Sequence, residues 1–167
     1  MIVHHVYVDL LVEAEAEALR EAVADGALRR IERRDALLVA EVPRTVYPGD
    51  HRNPWGRVVP LLGQRRESTI VAALDCVQYN TDPPSLAFFA NWEAIVELPY
   101  EQWPKGIGIV QRHPKTGKPF LCRPGIREFH THVQHGDEPW DKYRGRVRPR
   151  DLLLQLARDL RLKQVVA

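Results

Sequence analysis

The chain has 167 residues, 44% of them apolar and 28% charged, with a formal net charge of +2. These values are ordinary for one globular domain over 1–167, and the charge gives no argument for nucleic-acid binding. No apolar run is long enough to span a membrane, no signal peptide is evident, and two cysteines do not make a secreted disulfide framework. We therefore expect a reduced, cytoplasmic protein without nucleic-acid or membrane partners.

Two elements are predicted near the N-terminus. Residues 2–11 are rich in β-branched and aromatic side chains, which favours a short strand. Residues 12–24 consist of strong helix formers, and Gly26 follows them, so this segment predicts a helix. His4 and His5 are adjacent and would point to opposite faces of a strand, so the pattern does not favour a metal role for them.

The middle of the chain predicts a series of short strands separated by turns. Five segments are apolar and rich in β-branched residues: 36–42, 57–62, 68–79, 86–90 and 106–110. Residues 47–56 carry loop-forming residues, and the polar stretch 63–67 suggests a hairpin connection. Cys76 lies inside one strand and is predicted to be a buried, unreactive thiol.

Residues 151–162 predict an amphipathic C-terminal helix. Asp151 follows Pro149 and is placed to cap it. The apolar face comprises Leu152, Leu153, Leu156, Ala157 and Leu160. Packing this face on a sheet buries it, so we predict an α+β fold, with an antiparallel sheet flanked by helices.

A chemically distinctive pattern lies in the C-terminal third of the chain. Cys122, Glu128, His130 and His132 form Cys-x5-Glu-x-His-x-His. If 127–133 is a strand, the carboxylate and both imidazoles share one face. One sulfur, one oxygen and two nitrogens suit tetrahedral zinc, so we predict a metal centre, with zinc as the favoured ion.

Several other uses of these residues stay open. Pro124-Gly125 allows the turn that returns Cys122 to the strand face, and His135 and Asp137 are spare candidates. Four bound ligands would make a closed structural site, whereas an open coordination position would activate water, as in a small metal-dependent hydrolase. An uncoordinated acid–base cluster, or ordinary polar residues beside a packed Cys122, are the remaining interpretations.

Two short segments and the order of elements resemble the ubiquitin-conjugating enzymes. Tyr79–Phe88, with its central Pro-Pro, is similar to that family's Tyr-Pro-x-x-Pro-Pro-x-Val-x-Phe segment. His113-Pro114 followed by Cys122 is similar to its active-site segment, and Trp140 and the final helix come next in the family's order. The resemblance covers roughly 12–162. It implies a ubiquitin-conjugating-type fold, a thioester role for Cys122, and a ubiquitin-like protein and its activating enzyme as partners.

The chain also departs from that family. Lys115 stands where the family has the Asn that supports isopeptide formation. Glu128, His130 and His132 are absent from the eukaryotic enzymes, and together with Cys122 they resemble a bacterial family predicted to bind metal through Cys, Glu, His and His. That family belongs to ubiquitin-like conjugation systems. The two resemblances together imply a divergent conjugating-enzyme-like component of a bacterial pathway.

Metal binding and thioester chemistry compete for Cys122. As an acyl carrier it would rely on His130 or His132 to lower the thiol pKa or to position the attacking group. A thiolate held by zinc is a poor acyl carrier, so a metal site would require another nucleophile, such as Thr131 or Ser85. A noncatalytic adaptor stapled by zinc is a further alternative. Metal ligation is the interpretation we favour from sequence.

Overall fold

Four antiparallel strands and a short fifth strand in parallel pairing form the central sheet of the computed structural model, and helices pack against it. The structure describes residues 2–47, 66–79, 81–94, 96–162 and 165–166. The strands are β1 (Arg30–Arg34), β2 (Leu37–Tyr47), β3 (Arg66–Asp75) and β4 (Ser85–Phe89). Each pairs with its neighbour in sequence, in the order β1-β2-β3-β4. The predicted α+β class is confirmed.

The first element is a single helix, α1 (Ile2–Ala24). The helix predicted at 12–24 is confirmed, but the strand predicted at 2–11 is wrong. Val8, Val12, Ala16 and Leu19 are buried, a spacing of three or four residues that places them on one helix face. Burial of that face against the core outweighs the weak strand preference of the β-branched residues, and the helix extends toward the N-terminus.

The structure confirms strands at three of the predicted positions. β2 contains 37–42, β3 begins at Arg66, and β4 covers all but the last residue of 86–90. β3 ends at Asp75 because the chain then turns, with the Tyr79 N–H donating to the Cys76 carbonyl at 2.9 Å. The predicted strand at 57–62 and the loop residues Asp50, His51 and Trp55 lie outside the described residues.

The two faces of the sheet carry different cores. Alternate β2 residues Leu38, Ala40 and Val42 belong to the main core that α1 and the C-terminal helix cover. On the other face Val39 packs with a smaller cluster around Trp92. The sheet is therefore buried on one face by helices and only locally covered on the other.

Two very short strands follow. β5 (Ile109–Val110) pairs antiparallel with β6 (Phe120–Leu121), so only the end of the predicted strand 106–110 is extended. The short helix α2 (Arg127–Thr131) comes next. These three elements hold the segment that contains the predicted site.

The C-terminal helix is α3 (Pro149–Leu162), followed by β7 (Val165–Val166). The predicted leucine face is confirmed, since Leu153 and Leu160 are fully buried, and each buried leucine stabilises the fold by about 2 kcal/mol. Asp151 caps the helix from within its first turn, where its Oδ2 accepts the Arg148 N–H at 3.1 Å. Within the described part of the chain, no helix is long and apolar enough to cross a membrane.

Candidate functional site around Cys122

Cys122 lies directly after β6, on a buried support. Phe120 and Leu121 are each 1% exposed, and the Cys122 N–H donates to the Gly108 carbonyl at 2.9 Å. The Cys122 side chain itself is half-buried and its thiol is free. A buried, hydrogen-bonded backbone thus presents this sulfur near the surface.

Cys76, by contrast, is fully buried and free. Its thiol faces the Leu74 carbonyl at 3.7 Å. Burial is the main reason that the pKa of Cys76 rises to about 12. The predicted inert character of Cys76 is consistent with this environment, and Cys122 is the accessible thiol of the pair.

The segment after Cys122 is helical, so the predicted strand at 127–133 is wrong. Residues Arg127–Thr131 form α2, in which positions two apart differ by about 200° around the axis. Glu128 and His130 therefore point in different directions instead of sharing a face. Phe129 is 7% exposed and is the buried residue of this short helix. Alternation over so few residues fits a strand or a short helix, and the tertiary contacts decide.

His130 has both ring nitrogens bonded to the backbone. Its Nε2 accepts the Gly125 N–H at 2.9 Å, and its Nδ1 lies 2.6 Å from the Glu138 carbonyl oxygen. Because a carbonyl only accepts, Nδ1 carries the hydrogen and the imidazole is neutral. The rings of Trp140 and Tyr143 lie within 5.6 and 5.1 Å of it. Burial lowers the pKa of His130, in agreement with the neutral form.

Glu128 turns toward the sheet. One carboxylate oxygen accepts a hydrogen bond from the Ser85 hydroxyl at the start of β4. The other, Oε2, is buried and has no hydrogen-bond partner among the described residues. Burying a carboxylate oxygen without a hydrogen-bond donor costs free energy, so a proton, a water molecule or a cation bound to this atom would stabilise it.

His135 is the imidazole next to Cys122. Its Nε2 lies 3.4 Å from the Cys122 Sγ, and its ring stacks on Phe129 with centroids 4.0 Å apart. The sequence makes His135 only a spare candidate, because the alternation of a strand would place it on the face opposite Glu128, His130 and His132. In the structure Val133–His135 form a 3₁₀ turn, so side chains do not alternate as in a strand, and the His135 ring lies next to the thiol.

His132 lies beside this pair without touching the sulfur. Its ring centroid is 5.8 Å from that of His135 and 5.7 Å from that of His113. Its Nδ1 accepts the Gln134 N–H at 3.3 Å, so it also caps the 3₁₀ turn. His132 thus lies between the Cys122–His135 pair and a second, buried histidine.

That buried histidine, His113, is fully enclosed. Its Nδ1 accepts the backbone N–H groups of Lys115 and Thr116, each at 3.3 Å, and its Nε2 lies 3.3 Å from the Thr131 hydroxyl. Burial is the main cause of the lowered pKa of His113. His113 therefore fixes the His-Pro turn to α2 in its neutral form. The sequence indicated its importance only through the His-Pro pair.

The electrostatics of the site favour a protonated thiol. Burial raises the pKa of Cys122 above its ordinary value of 9.0. At neutral pH the sulfur therefore needs a neighbouring base before it can act as a nucleophile. His135 Nε2 is at a suitable distance for that proton transfer.

The described side chains do not assemble the predicted four-ligand centre. Glu128 accepts a hydrogen bond from Ser85, and both ring nitrogens of His130 are hydrogen-bonded to backbone groups. Cys122 contacts His135. No group of three or more His, Cys, Asp or Glu side chains within the described ranges is arranged to hold a metal ion. As placed, the set fits a shared zinc ion poorly, and the metal centre stays a prediction.

No family model matches the chain, and no curated protein is significantly similar to it.

Proposed function

We propose that this protein is a conjugating-enzyme-like component of a bacterial ubiquitin-like pathway and that Cys122 carries the acyl group as a thioester. The observation that carries the proposal is the Cys122–His135 pair, with Sγ and Nε2 3.4 Å apart. A half-buried thiol beside an imidazole on a buried backbone support is suited to nucleophilic catalysis. The ubiquitin-like protein and its activating enzyme are the proposed partners.

The order of elements supports a ubiquitin-conjugating type of fold. A helix, α1, precedes four antiparallel strands paired in sequence, and β4 begins directly after Pro83-Pro84. Tyr79 donates its hydroxyl hydrogen to the Val147 carbonyl at 3.1 Å and packs near Trp140. These contacts join the Pro-Pro turn to the segment between the cysteine and α3.

The proposed chemistry is an exchange of thioesters. The Cys122 Sγ loses its proton to His135 and attacks the carbonyl carbon of the acyl group on the activating enzyme. A new carbon–sulfur bond forms while the old one breaks, and the leaving thiolate takes up a proton. No oxidant or reductant is needed. Transfer to an amine would then release the Cys122 thiol.

One departure from the family limits the second step. Lys115, at the position of the supporting Asn, is exposed, and its backbone N–H bonds to His113. An amide side chain at this position is therefore missing from the site. We propose that this protein performs thioester transfer more readily than isopeptide formation.

A synthetic peptide thioester ending in glycine tests the thioester role without the natural partners. We expect an adduct on Cys122 that a reducing thiol removes and that is absent from Cys122→Ala. His135→Gln should form it more slowly. Cys76→Ala is the matched control and should react like the unmodified protein. Absence of any thiol-sensitive adduct, both here and with the organism's own activating enzyme, would contradict the proposal.

A second candidate is a noncatalytic adaptor whose fold is stabilised by a bound zinc ion. The Glu128 Oε2, which has no hydrogen-bond partner among the described residues, favours it as a possible zinc ligand. Glu128, His132 and Cys122 would then move together to hold the ion, and His130 would give up its backbone bonds. Elemental analysis of protein purified without added metal tests this role. About one zinc per chain, lost when His130 and His132 are both replaced by Ala, supports it. Folded, metal-free protein contradicts it.

A further inference from the structure

A small cavity opens between α1, Tyr79 and the loop that leads into α3. Its volume is about 250 Å³, just below the ~300 to ~1,000 Å³ of sites for drug-sized ligands. Among the described residues, its lining includes Tyr7, Leu11 and Glu15 of α1, together with Tyr79, Arg144 and Arg148. Neither Cys122 nor His135 belongs to this described lining. The volume suits a ligand of about the size of a single amino acid, and the lining side chains decide its chemistry.

Glu15 places a buried carboxylate in this cavity. The residue is 2% exposed, and its Oε2 accepts the Arg150 N–H at 3.1 Å. Within the described part of the chain, no lysine or arginine side chain forms an ion pair with this carboxylate. A buried carboxylate whose donor is a neutral backbone group keeps most of its charge uncompensated, so a cation bound beside it would stabilise it.

Aromatic and aliphatic surface adjoins that carboxylate. Tyr79 is buried, and its pKa rises to about 12, first because of burial and then because the Glu15 carboxylate is close. Tyr7 is 53% exposed, and Leu11 is half-buried. The face of a tyrosine ring attracts an ammonium group, and the rings and Leu11 together favour an apolar ligand side chain.

The loop side of the cavity carries the opposite charge. Arg144 is already paired with Asp141, with Nη2 and Oδ1 2.8 Å apart. Arg148 is exposed, and its guanidinium has no hydrogen bond or ion pair to any other described residue. A guanidinium group binds a carboxylate through two parallel N–H donors, so Arg148 is available for an acidic group on a ligand.

We propose that this cavity binds a free amino acid with an apolar side chain. The ligand ammonium group lies at Glu15, its carboxylate at Arg148, and its side chain against Leu11 and Tyr79. A simple cation would leave Arg148 without a partner and a simple anion would leave Glu15 without one, whereas a zwitterion satisfies both. This site is separate from the proposed thioester chemistry and does not depend on it.

Calorimetric titration with L-leucine, leucinamide and N-acetyl-leucine tests the site. We expect saturable binding of leucine. Leucinamide lacks the carboxylate and N-acetyl-leucine lacks the ammonium group, so each should bind more weakly by about tenfold, the value of one charge-assisted hydrogen bond. Affinity for leucine should change little among neutral pH values, where both of its charges are present.

Two variants assign the two ends of the ligand. Arg148→Gln should weaken leucine binding by about tenfold and leave leucinamide binding unchanged, because only leucine offers a carboxylate to the guanidinium group. Glu15→Gln should weaken leucine binding by a similar factor and leave N-acetyl-leucine binding unchanged. Arg146→Gln removes an exposed arginine from the same loop, outside the described lining, and should bind leucine like the unmodified protein.

Three results would overturn the proposal: no saturable binding of leucine at millimolar concentration, equal binding of leucine and leucinamide, or equal losses in Arg146→Gln and Arg148→Gln. Circular dichroism of each variant establishes that it is folded. If Glu15→Gln is unfolded, Arg148→Gln decides, because Arg148 is exposed.

Discussion

His130 accepts the backbone N–H of Gly125 at 2.9 Å, and this bond closes the turn that follows Cys122. On its other side the same ring donates to the Glu138 carbonyl. One imidazole thus ties the turn after the thiol to the segment that leads into α3. His130 is a structural link in this arrangement, whereas His135 is the ring that reaches the sulfur.

Replacing His130 should destabilise the fold. In His130→Ala the buried Gly125 N–H and the Glu138 carbonyl lose their partner, and we expect a loss of roughly 2–3 kcal/mol in the free energy of unfolding. His132→Ala is the control, because His132 makes one backbone hydrogen bond, to Gln134. Urea denaturation measures both. Equal losses in the two variants would contradict the special role of His130.

Gly125 should not tolerate a side chain. Its φ is +93°, and a Cβ would lie 2.5 Å from the Val147 Cγ1. Gly125→Ala should therefore cost roughly 3 kcal/mol or more, from backbone strain and overpacking. Gly117→Ala has a φ of +71° but no atom within 4 Å, so only strain of about 1 kcal/mol remains. Thermal unfolding of both variants checks the difference, and similar melting temperatures would refute it.

The two cysteines should differ in reactivity. In the native protein iodoacetamide should modify the half-buried Cys122 but not Cys76, which is 0% exposed. Because burial raises the pKa of Cys122, the alkylation rate should still be rising above pH 9.0. Mass spectrometry after native and denaturing labelling counts the adducts. Rapid native labelling of Cys76, or a rate that levels off below pH 8, would contradict this prediction.

His135 should assist the Cys122 thiol. Its Nε2 lies 3.4 Å from the Cys122 Sγ, where it can accept the thiol proton, so His135→Gln should slow alkylation at neutral pH by about tenfold or more. His132→Gln changes a neighbouring ring that does not contact the sulfur and serves as the control. Stopped-flow or quenched labelling gives the rates. If the His132 variant were the slower of the two, His135 would not be the assisting group.

Cys76 should make stability fall at alkaline pH. Its pKa is about 12 in the folded protein and 9.0 as an ordinary thiol, so above pH 9.0 the unfolded chain releases a proton that the folded protein retains. Unfolding is then favoured by about 1.4 kcal/mol per pH unit over this window, and not below it. Cys76→Ala lacks this contribution. Urea denaturation at pH 8, 9 and 10 should therefore show the stability advantage of the native residue shrinking; a constant difference would exclude it.

The strongly patterned segments were predictable from sequence. The helix at 12–24, the strands at 36–42 and 86–90, and the leucine face of α3 all depend on periodicity within a single window, which the residues themselves encode. The sequence also indicated the importance of the region around Cys122, because a thiol and several imidazoles are rarely so close together.

Only the tertiary structure decided how that region is used. Ser85 on β4 donates a hydrogen bond to Glu128. The Glu138 carbonyl accepts from His130, and Val147 packs against Gly125. These partners are distant in sequence, and a five-residue helix has too little intrinsic stability to choose its own conformation. Local pattern thus indicated the region that holds the thiol and the imidazoles, while tertiary contacts placed His135, and not His130 or His132, beside Cys122.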